Sequence, residues 1–257
     1  MITVTSAQLN TWLALMLWPF ARILALLATA PPIGNAQVPA SVKIGLAILI
    51  TAVIAPTLPA PSIDPGSAAG LLLLARETAL GIAMGLAMRI VFAGIASAGD
   101  IIGLQMGIGF AQFYDPQSSG QTPVIGQYLG VFTTLTFLSL NGHLLMISTL
   151  VESFFAMPVD GSGAGNWLLL AQSGEMVLRA AVLLSLPLIA TLLVVNTALG
   201  VLTRAAPQLN IFAIGFPITM MVGIFALMLS LPYCIPAFER FFEGGIGTML
   251  QVATPVR

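Results

Sequence analysis

Charged side chains are scarce in this sequence: they make up 7% of 257 residues, and the chain holds one histidine and one cysteine. A soluble globule commonly carries about 25% charged residues, so lipid or partner protein has to cover most of this surface. Lysine is almost absent too, with Lys43 standing against seven arginines in a chain of net charge −1. That balance offers no basic patch to neutralise a run of phosphates, which excludes nucleic acid as a partner. The lone Cys234 cannot close an intrachain disulfide, and with one histidine it cannot assemble a metal site. A small buried hydrophobe is its expected role. Phosphate loops of the form G-x-x-x-x-G-K-[ST], G-x-S-x-G elbows and H-E-x-x-H pairs are missing as well. The expectation is therefore a protein without catalytic centre, metal or cofactor, whose work draws on energy supplied from elsewhere. The glycines of 161–165 follow Asp160 and open no basic helix, so they read as a flexible connection.

What the sequence has instead is apolar length. Hydrophobic residues make up 58% of the chain and the mean hydropathy is +1.03. A bilayer core of roughly 30 Å asks for about 20 apolar residues per helix. Six segments of that kind lie between charges and Pro/Gly clusters, at about 9–29, 42–58, 70–98, 124–155, 177–203 and 211–238. Pro31 and Pro32 end the first, and Pro59, Pro61 and Pro65 end the second, by removing amide donors. The runs are continuous and lack the in-out alternation of a transmembrane barrel. The fold class expected is thus all-α: a polytopic membrane protein of about six apolar helical segments forming a single membrane domain over 1–257. No cation precedes the first apolar stretch and Arg22 lies within it, so that stretch reads as a retained span. Lys43 and Arg204 flank odd-numbered connections, which by the positive-inside rule puts both termini outside the cytoplasm.

Small residues and buried charges mark the helices further. Gly81 and Gly85, then Gly99, Gly103 and Gly107, then Gly126 and Gly130 repeat at four-residue spacing. Such spacing lines one helix face with small residues and lets another backbone approach closely. The neighbour is another helix of this chain or one of a second subunit. Arg22, Arg76, Glu77, Arg89 and Asp100 fall inside or beside apolar spans, where a central charge costs roughly 2.5–3.5 kcal/mol on insertion scales. If the third helix continues to Asp100, that residue and Arg89 are about three turns apart on nearly one face. Pairing within the structure and a place on a transport path both fit these charges. His143, after Asn141-Gly142 in the fourth apolar stretch, has no carboxylate near it in sequence and reads more readily as a structural histidine than as a proton relay.

The most unusual stretch is 107–123. Gly107, Gly109, Phe110, Phe113, Tyr114, Asp115 and Pro116 run into polar turn residues between two long apolar spans. Asp115-Pro116 favours extended or turn backbone, and non-helical backbone at membrane depth persists only where protein buries it or water lines it. A re-entrant element packed inside an assembly is expected, and an interfacial aromatic belt is the simpler alternative. Phe110, Phe113 and nearby Met106 would close a passage by bulk and dewetting, with methionine adapting to irregular passengers.

Several phrases resemble, in order, the FliR family of flagellar and related type III secretion gates. They are Arg22-Ile23 leading to Ala30-Pro31-Pro32-Ile33-Gly34; Arg76-Glu77 with Gly81 and Gly85; Gly107-Ile108-Gly109-Phe110-Ala111; Asp115-Pro116-Gln117; Asn141-Gly142-His143; and Glu152-Ser153-Phe154. The most specific is Leu199-Gly200, then Arg204-Ala205-Ala206-Pro207-Gln208-Leu209-Asn210-Ile211 through Pro217. Asn35, in a proline-glycine loop, is a conservative departure. The resemblance implies a non-enzymatic inner-membrane subunit of the flagellar basal body. It would assemble with FliP and FliQ into a pore-forming gate adjoined by FlhB and FlhA, and pass unfolded proteins. It also implies closure by the segment holding Met106, Phe110 and Phe113. A FliP-like part over about 1–175 and a FliQ-like hairpin over 176–240 would follow, with the loop Arg204, Pro207, Gln208 and Asn210 facing the cytoplasm. A self-contained transporter of a small solute is the competing reading, since broken helices and intramembrane charges suit it as well.

Overall fold

The computed structural model describes residues 6–59, 63–108, 124–159, 163–208 and 211–255, with the side chains of 6–14 and 211–213 excepted. Among the described residues the chain is helical throughout and contains no strand. Helix α1 spans Ser6–Thr29, α2 Ala40–Ile54 followed by a 3-10 turn Ala55–Thr57, α3 Ala68–Gln105, α4 Val124–Ser139, α5 Gly142–Ala156, α6 Trp167–Ser173, α7 Glu175–Ala205 and α8 Ile211–Val252. Four stretches are long and apolar enough to cross a membrane: Ala40–Thr57, Ala68–Gln105, Trp167–Ala205 and Ile214–Val252. The α4/α5 pair makes a fifth if counted as one broken span, and Leu15–Thr29 is a shorter apolar helix. The six apolar segments of the sequence are thus all present as helices.

Three local features depart from the sequence reading, each for a physical reason. The run 124–155 is two helices bent by 67°. Asn141 sits at the bend in left-handed backbone, φ 56°; asparagine tolerates that region where most L-residues do not, and apolar periodicity carries no trace of it. The last helix does not stop near 238 but continues to Val252. Glu239, Arg240 and Glu243 signalled an end by charge, yet Glu and Arg are good helix formers. A short helix outside the six apolar segments, α6, follows the glycines of 161–165, and the Asn166 side chain caps it by accepting from the Leu169 amide at 3.1 Å. Prolines 187, 217, 232 and 236 lie inside α7 and α8, a tolerance typical of membrane helices.

The chain folds as two compact units. One comprises Met1–Ile90, Asn141–Gly174 and Phe242–Arg257. Its interior holds Trp18, Ile23, Leu26, Leu80, Met84, Leu150, Phe154 and Met249, all buried. Small residues let α1 and α3 touch: a Cβ at Gly81 would collide with the Arg22 carbonyl and lie 2.8 Å from the Ala25 Cβ, and one at Gly85 would overlap the Thr29 hydroxyl. The Trp18 indole donates to the Gly70 carbonyl at 3.3 Å, and the Asn166 amide donates to the Val252 carbonyl at 3.0 Å.

The other unit comprises Val91–Leu140 and Glu175–Phe241. Ile102, Met106, Ile125, Leu129, Leu188, Leu192 and Leu227 form its core. The start of α4 lies directly on α3, where a Cβ at Gly99 would fall 2.6 Å from the Gly126 Cα, and one at Gly126 would overlap the Asp100 carboxylate. Phe92 meets Phe137 edge-on with ring centroids 5.4 Å apart, and Phe132 meets Phe238 at 5.9 Å.

Candidate functional site

Two constructions draw on residues the sequence singled out, one in each unit. In the first, Arg22 and Glu77 are completely buried and joined by a 2.6 Å ion pair through Arg22 Nε. The guanidinium does more than balance that charge. Its Nη1 donates to the Ser153 carbonyl at 3.0 Å and hydroxyl at 3.1 Å, and Nη2 donates to the Met157 carbonyl at 3.0 Å. Those carbonyls lie in the last turn and at the C-cap of α5, the negative end of the helix dipole. The Phe154 ring lies 4.2 Å from the guanidinium carbon, within cation–π range. A planar fork of five donors suits such a site as lysine would not. Arg76, on the next position, is half-buried and donates to the Val159 carbonyl at 3.3 Å.

In the second construction α3 ends and the central segment begins. The Gly107 amide donates to the Leu104 carbonyl and the Ile108 amide to the Gly103 carbonyl, both at 3.1 Å. With Gly107 at φ 83°, this is a Schellman motif, whose left-handed position is normally glycine. The helix therefore stops by design of its own backbone bonds, and 107 is where the chain leaves it. That turn is held on α8. Met106 is fully buried and its side chain fills the space above Gly223, where a Cβ would lie 2.6 Å from Met106 Cγ and 2.9 Å from Cε. Thr219 Oγ1 donates to the Met106 carbonyl at 3.3 Å. A Cβ at Gly107 would fall 2.7 Å from the Phe216 ring. Phe216, Thr219 and Gly223 follow three and four residues apart, the spacing of one helix face.

The other anticipated residues are distributed more loosely. Gly109, Phe110, Phe113, Asp115 and Pro116 lie outside the described residues, as does Asn210. A Cβ at Gly103 would sit at ordinary van der Waals distance, 3.6 Å, from the Ile125 side chain, whereas one at Gly130 would meet nothing within 4 Å. Arg89 and Asp100 share α3, with Arg89 exposed and Asp100 half-buried; among the described residues no ion pair joins them. His143 is half-buried in the first turn of α5, and its Nδ1 has no hydrogen-bond partner among the described residues. Arg204 is an exposed cation in the last turn of α7, with Pro207 and Gln208 exposed beyond it. Among the described residues no group of three acidic, histidine or cysteine side chains is placed to hold a metal ion.

Comparison with known proteins gives this arrangement a family. The family model for bacterial export proteins, family 1, matches residues 13–245. The chain is 44% identical over 245 residues to the flagellar biosynthetic protein FliR of Escherichia coli (strain K12), which covers 95% of this chain and 94% of that protein. It belongs to the FliR family of bacterial export proteins.

Further relatives extend the family across distant bacteria. FliR of Pectobacterium carotovorum subsp. carotovorum is 41% identical over 256 residues, 99% of this chain and 98% of the relative. FliR of Bacillus subtilis (strain 168) is 31% identical over 235 residues, 90% of this chain and 91% of the relative. The FliR family is named for flagellar biosynthesis and export, not for a reaction, and its membership here joins a helical membrane architecture to an export role. Within that family setting, Phe216, Thr219 and Gly223 are the residues that reading by motif passed over. Phe216 lay inside a quoted phrase, but nothing in the sequence tied it to Gly107; the available signal was a glycine, Gly223, at helical spacing from Thr219 in an apolar run.

Proposed function

We propose that this chain is a subunit of the flagellar type III protein-export gate, helping to form and close the pore through which unfolded flagellar proteins pass. The observation that carries this reading is the turn at Gly107. It ends a 38-residue apolar helix at a backbone-specified point, immediately before the glycine-aromatic stretch of the sequence. In this reading Met106 and Gly107 anchor the base of the closing segment, Phe110 and Phe113 supply its bulk, and Gly109, Asp115 and Pro116 supply its turns. Closure by bulky apolar groups needs no specific bonds to the passenger, since a narrow apolar constriction excludes water and ions by dewetting.

The remaining surface suits assembly. The most apolar parts of Ala40–Thr57 and Ile214–Val252 are each only 22% buried, leaving faces for lipid and for FliP, FliQ, FlhB and FlhA-type subunits of the gate. Residues 1–175 would correspond to a FliP-like part and 176–240 to a FliQ-like hairpin, in the inner membrane at the flagellar basal body. Both termini would lie outside the cytoplasm, with the Arg204–Asn210 loop inside. The test is Phe110→Ala combined with Phe113→Ala in assembled complexes. The proposal expects ion leakage to rise several-fold with subunit assembly intact; leakage and export both at the wild-type level would remove the closure role.

A further inference from the structure

We infer that α7 and α8 together hold an anionic phospholipid, its phosphate between Arg179 and Arg240 and one acyl chain in the groove that runs from them between the two helices. Two clefts make up that groove. The first, about 300 Å³, is lined by Arg179 and Leu183 of α7 and by Ala237, Arg240 and Phe241 of α8. The second, about 380 Å³, is lined by Pro187 and Thr191 of α7 and by Phe225, Ala226 and Ser230 of α8. All of these residues belong to the unit of 91–140 and 175–241. Going from the first cleft to the second, α7 advances along the chain while α8 runs back, so the clefts follow one another between antiparallel helices.

The charge sits at one end of this groove. α7 carries no charged side chain from Ala180 to Thr203, and α8 carries none from Ile211 to Phe238, so Arg179 and Arg240 mark the same edge of an apolar helix pair. At such an edge long cationic side chains reach the headgroup layer. Both arginines are exposed. Among the described residues neither makes an ion pair or hydrogen bond, although Glu175, Glu239 and Glu243 stand within four residues of them in the sequence. The planar fork of a guanidinium matches phosphate oxygens, and basic pockets between transmembrane helices suit anionic headgroups. Farther in, the wall is apolar. Thr191 and Ser230 turn their hydroxyls back to the Pro187 and Leu227 carbonyls of their own helices, both at 2.9 Å, so neither offers its proton to a polar guest. The twelve positions from Arg179 to Thr191 rise about 18 Å along α7, close to the roughly 15 Å that one leaflet contributes to a bilayer core. A single lipid engages both the cation pair and the leaflet-deep groove.

The inference stands on the helical membrane architecture and not on the gate reading, so the full chain is measured as purified, with whatever subunits accompany it. It is placed in bilayer discs of equal parts phosphatidylglycerol and phosphatidylcholine, and native mass spectrometry reads the lipid that stays bound after release from the disc. Phosphatidylglycerol is expected to be retained several-fold over phosphatidylcholine, and Arg179→Gln with Arg240→Gln is expected to abolish that preference. Ala226→Phe, which fills the deeper cleft and leaves both arginines in place, is expected to lower retained phosphatidylglycerol several-fold; it also serves if the double variant fails to accumulate. Arg89→Gln, which removes an exposed arginine of α3, is expected to retain lipid as the unaltered chain does. Equal retention of the two lipids by the unaltered chain would overturn the site. So would wild-type retention in both the arginine variant and Ala226→Phe, or a loss in Arg89→Gln as large as theirs. Loss of a bound protein subunit from the arginine variant, with lipid retention unchanged, would also overturn it and assign the two cations to a protein partner.

Discussion

Arg22 shows how much one buried cation can organise. Its guanidinium satisfies one carboxylate, two main-chain carbonyls and a hydroxyl, so removing it strands acceptors on α3 and on the end of α5 together. Breaking a buried pair by deleting one partner costs roughly 3–5 kcal/mol, and Arg22→Met should lose at least that much. Glu77→Gln, which keeps an acceptor for Nε and leaves the α5 contacts in place, should lose less. Thermal unfolding of the purified protein in detergent checks the order; equal losses would mean that the carbonyl contacts contribute nothing. At Gly107 the expected cost has two parts. Gly107→Ala places a side chain in left-handed backbone, at roughly 1–2 kcal/mol, and drives it into the Phe216 ring. Reduced assembly or raised leakage is the expected result, whereas Gly130→Ala, where the added Cβ meets nothing, should behave as wild type in the same assay. The sequence exposed Arg22, Glu77 and Gly107 because a charge in an apolar run and a glycine beside aromatics are visible as anomalies. It hid their partners: Ser153, Met157 and Phe216 do not stand out in their own neighbourhoods, and only the fold brings them across 109 to 135 positions of chain.

At the scale of the element, apolar run length located every long helix but not where a run breaks. The bend at Asn141 costs little in sequence terms, since a single left-handed residue between apolar neighbours leaves hydrophobicity unchanged. Asn141→Gly should keep the bend and the stability, because glycine adopts this backbone freely. Asn141→Val, β-branched and poorly suited to positive φ, should destabilise the protein by about 1–2 kcal/mol, seen as a lower unfolding temperature. Glycine spacing was similarly informative in part. Gly81, Gly85, Gly99 and Gly126 mark real backbone approaches, while Gly103 and Gly130 share the spacing without the contact. Spacing defines a face, and only the neighbouring helix decides whether that face is used.

For the whole molecule, scarcity of charge and excess of apolar surface point the same way. Leu71, Leu72, Leu178, Val194, Met221 and Tyr233 are among many large apolar side chains left exposed, far beyond what water tolerates in one contiguous soluble protein. Lipid covers some of that surface in a membrane protein; the export role of the FliR family gives reason for sibling subunits to cover the rest. Arg204→Glu, which reverses an exposed cation at the end of α7, should lower export or disturb orientation, as read by accessibility labelling of the 204–208 loop; unchanged labelling and export would remove that loop from the cytoplasmic side. The most direct test of the central claim, that these helices wall a shared pore, is the mass of the intact particle purified from membranes under gentle conditions. The account predicts a particle several times the 26.8 kDa of this chain, with other membrane subunits bound in fixed ratio. A lone 26.8 kDa monomer that moves a small solute across vesicle membranes would contradict it.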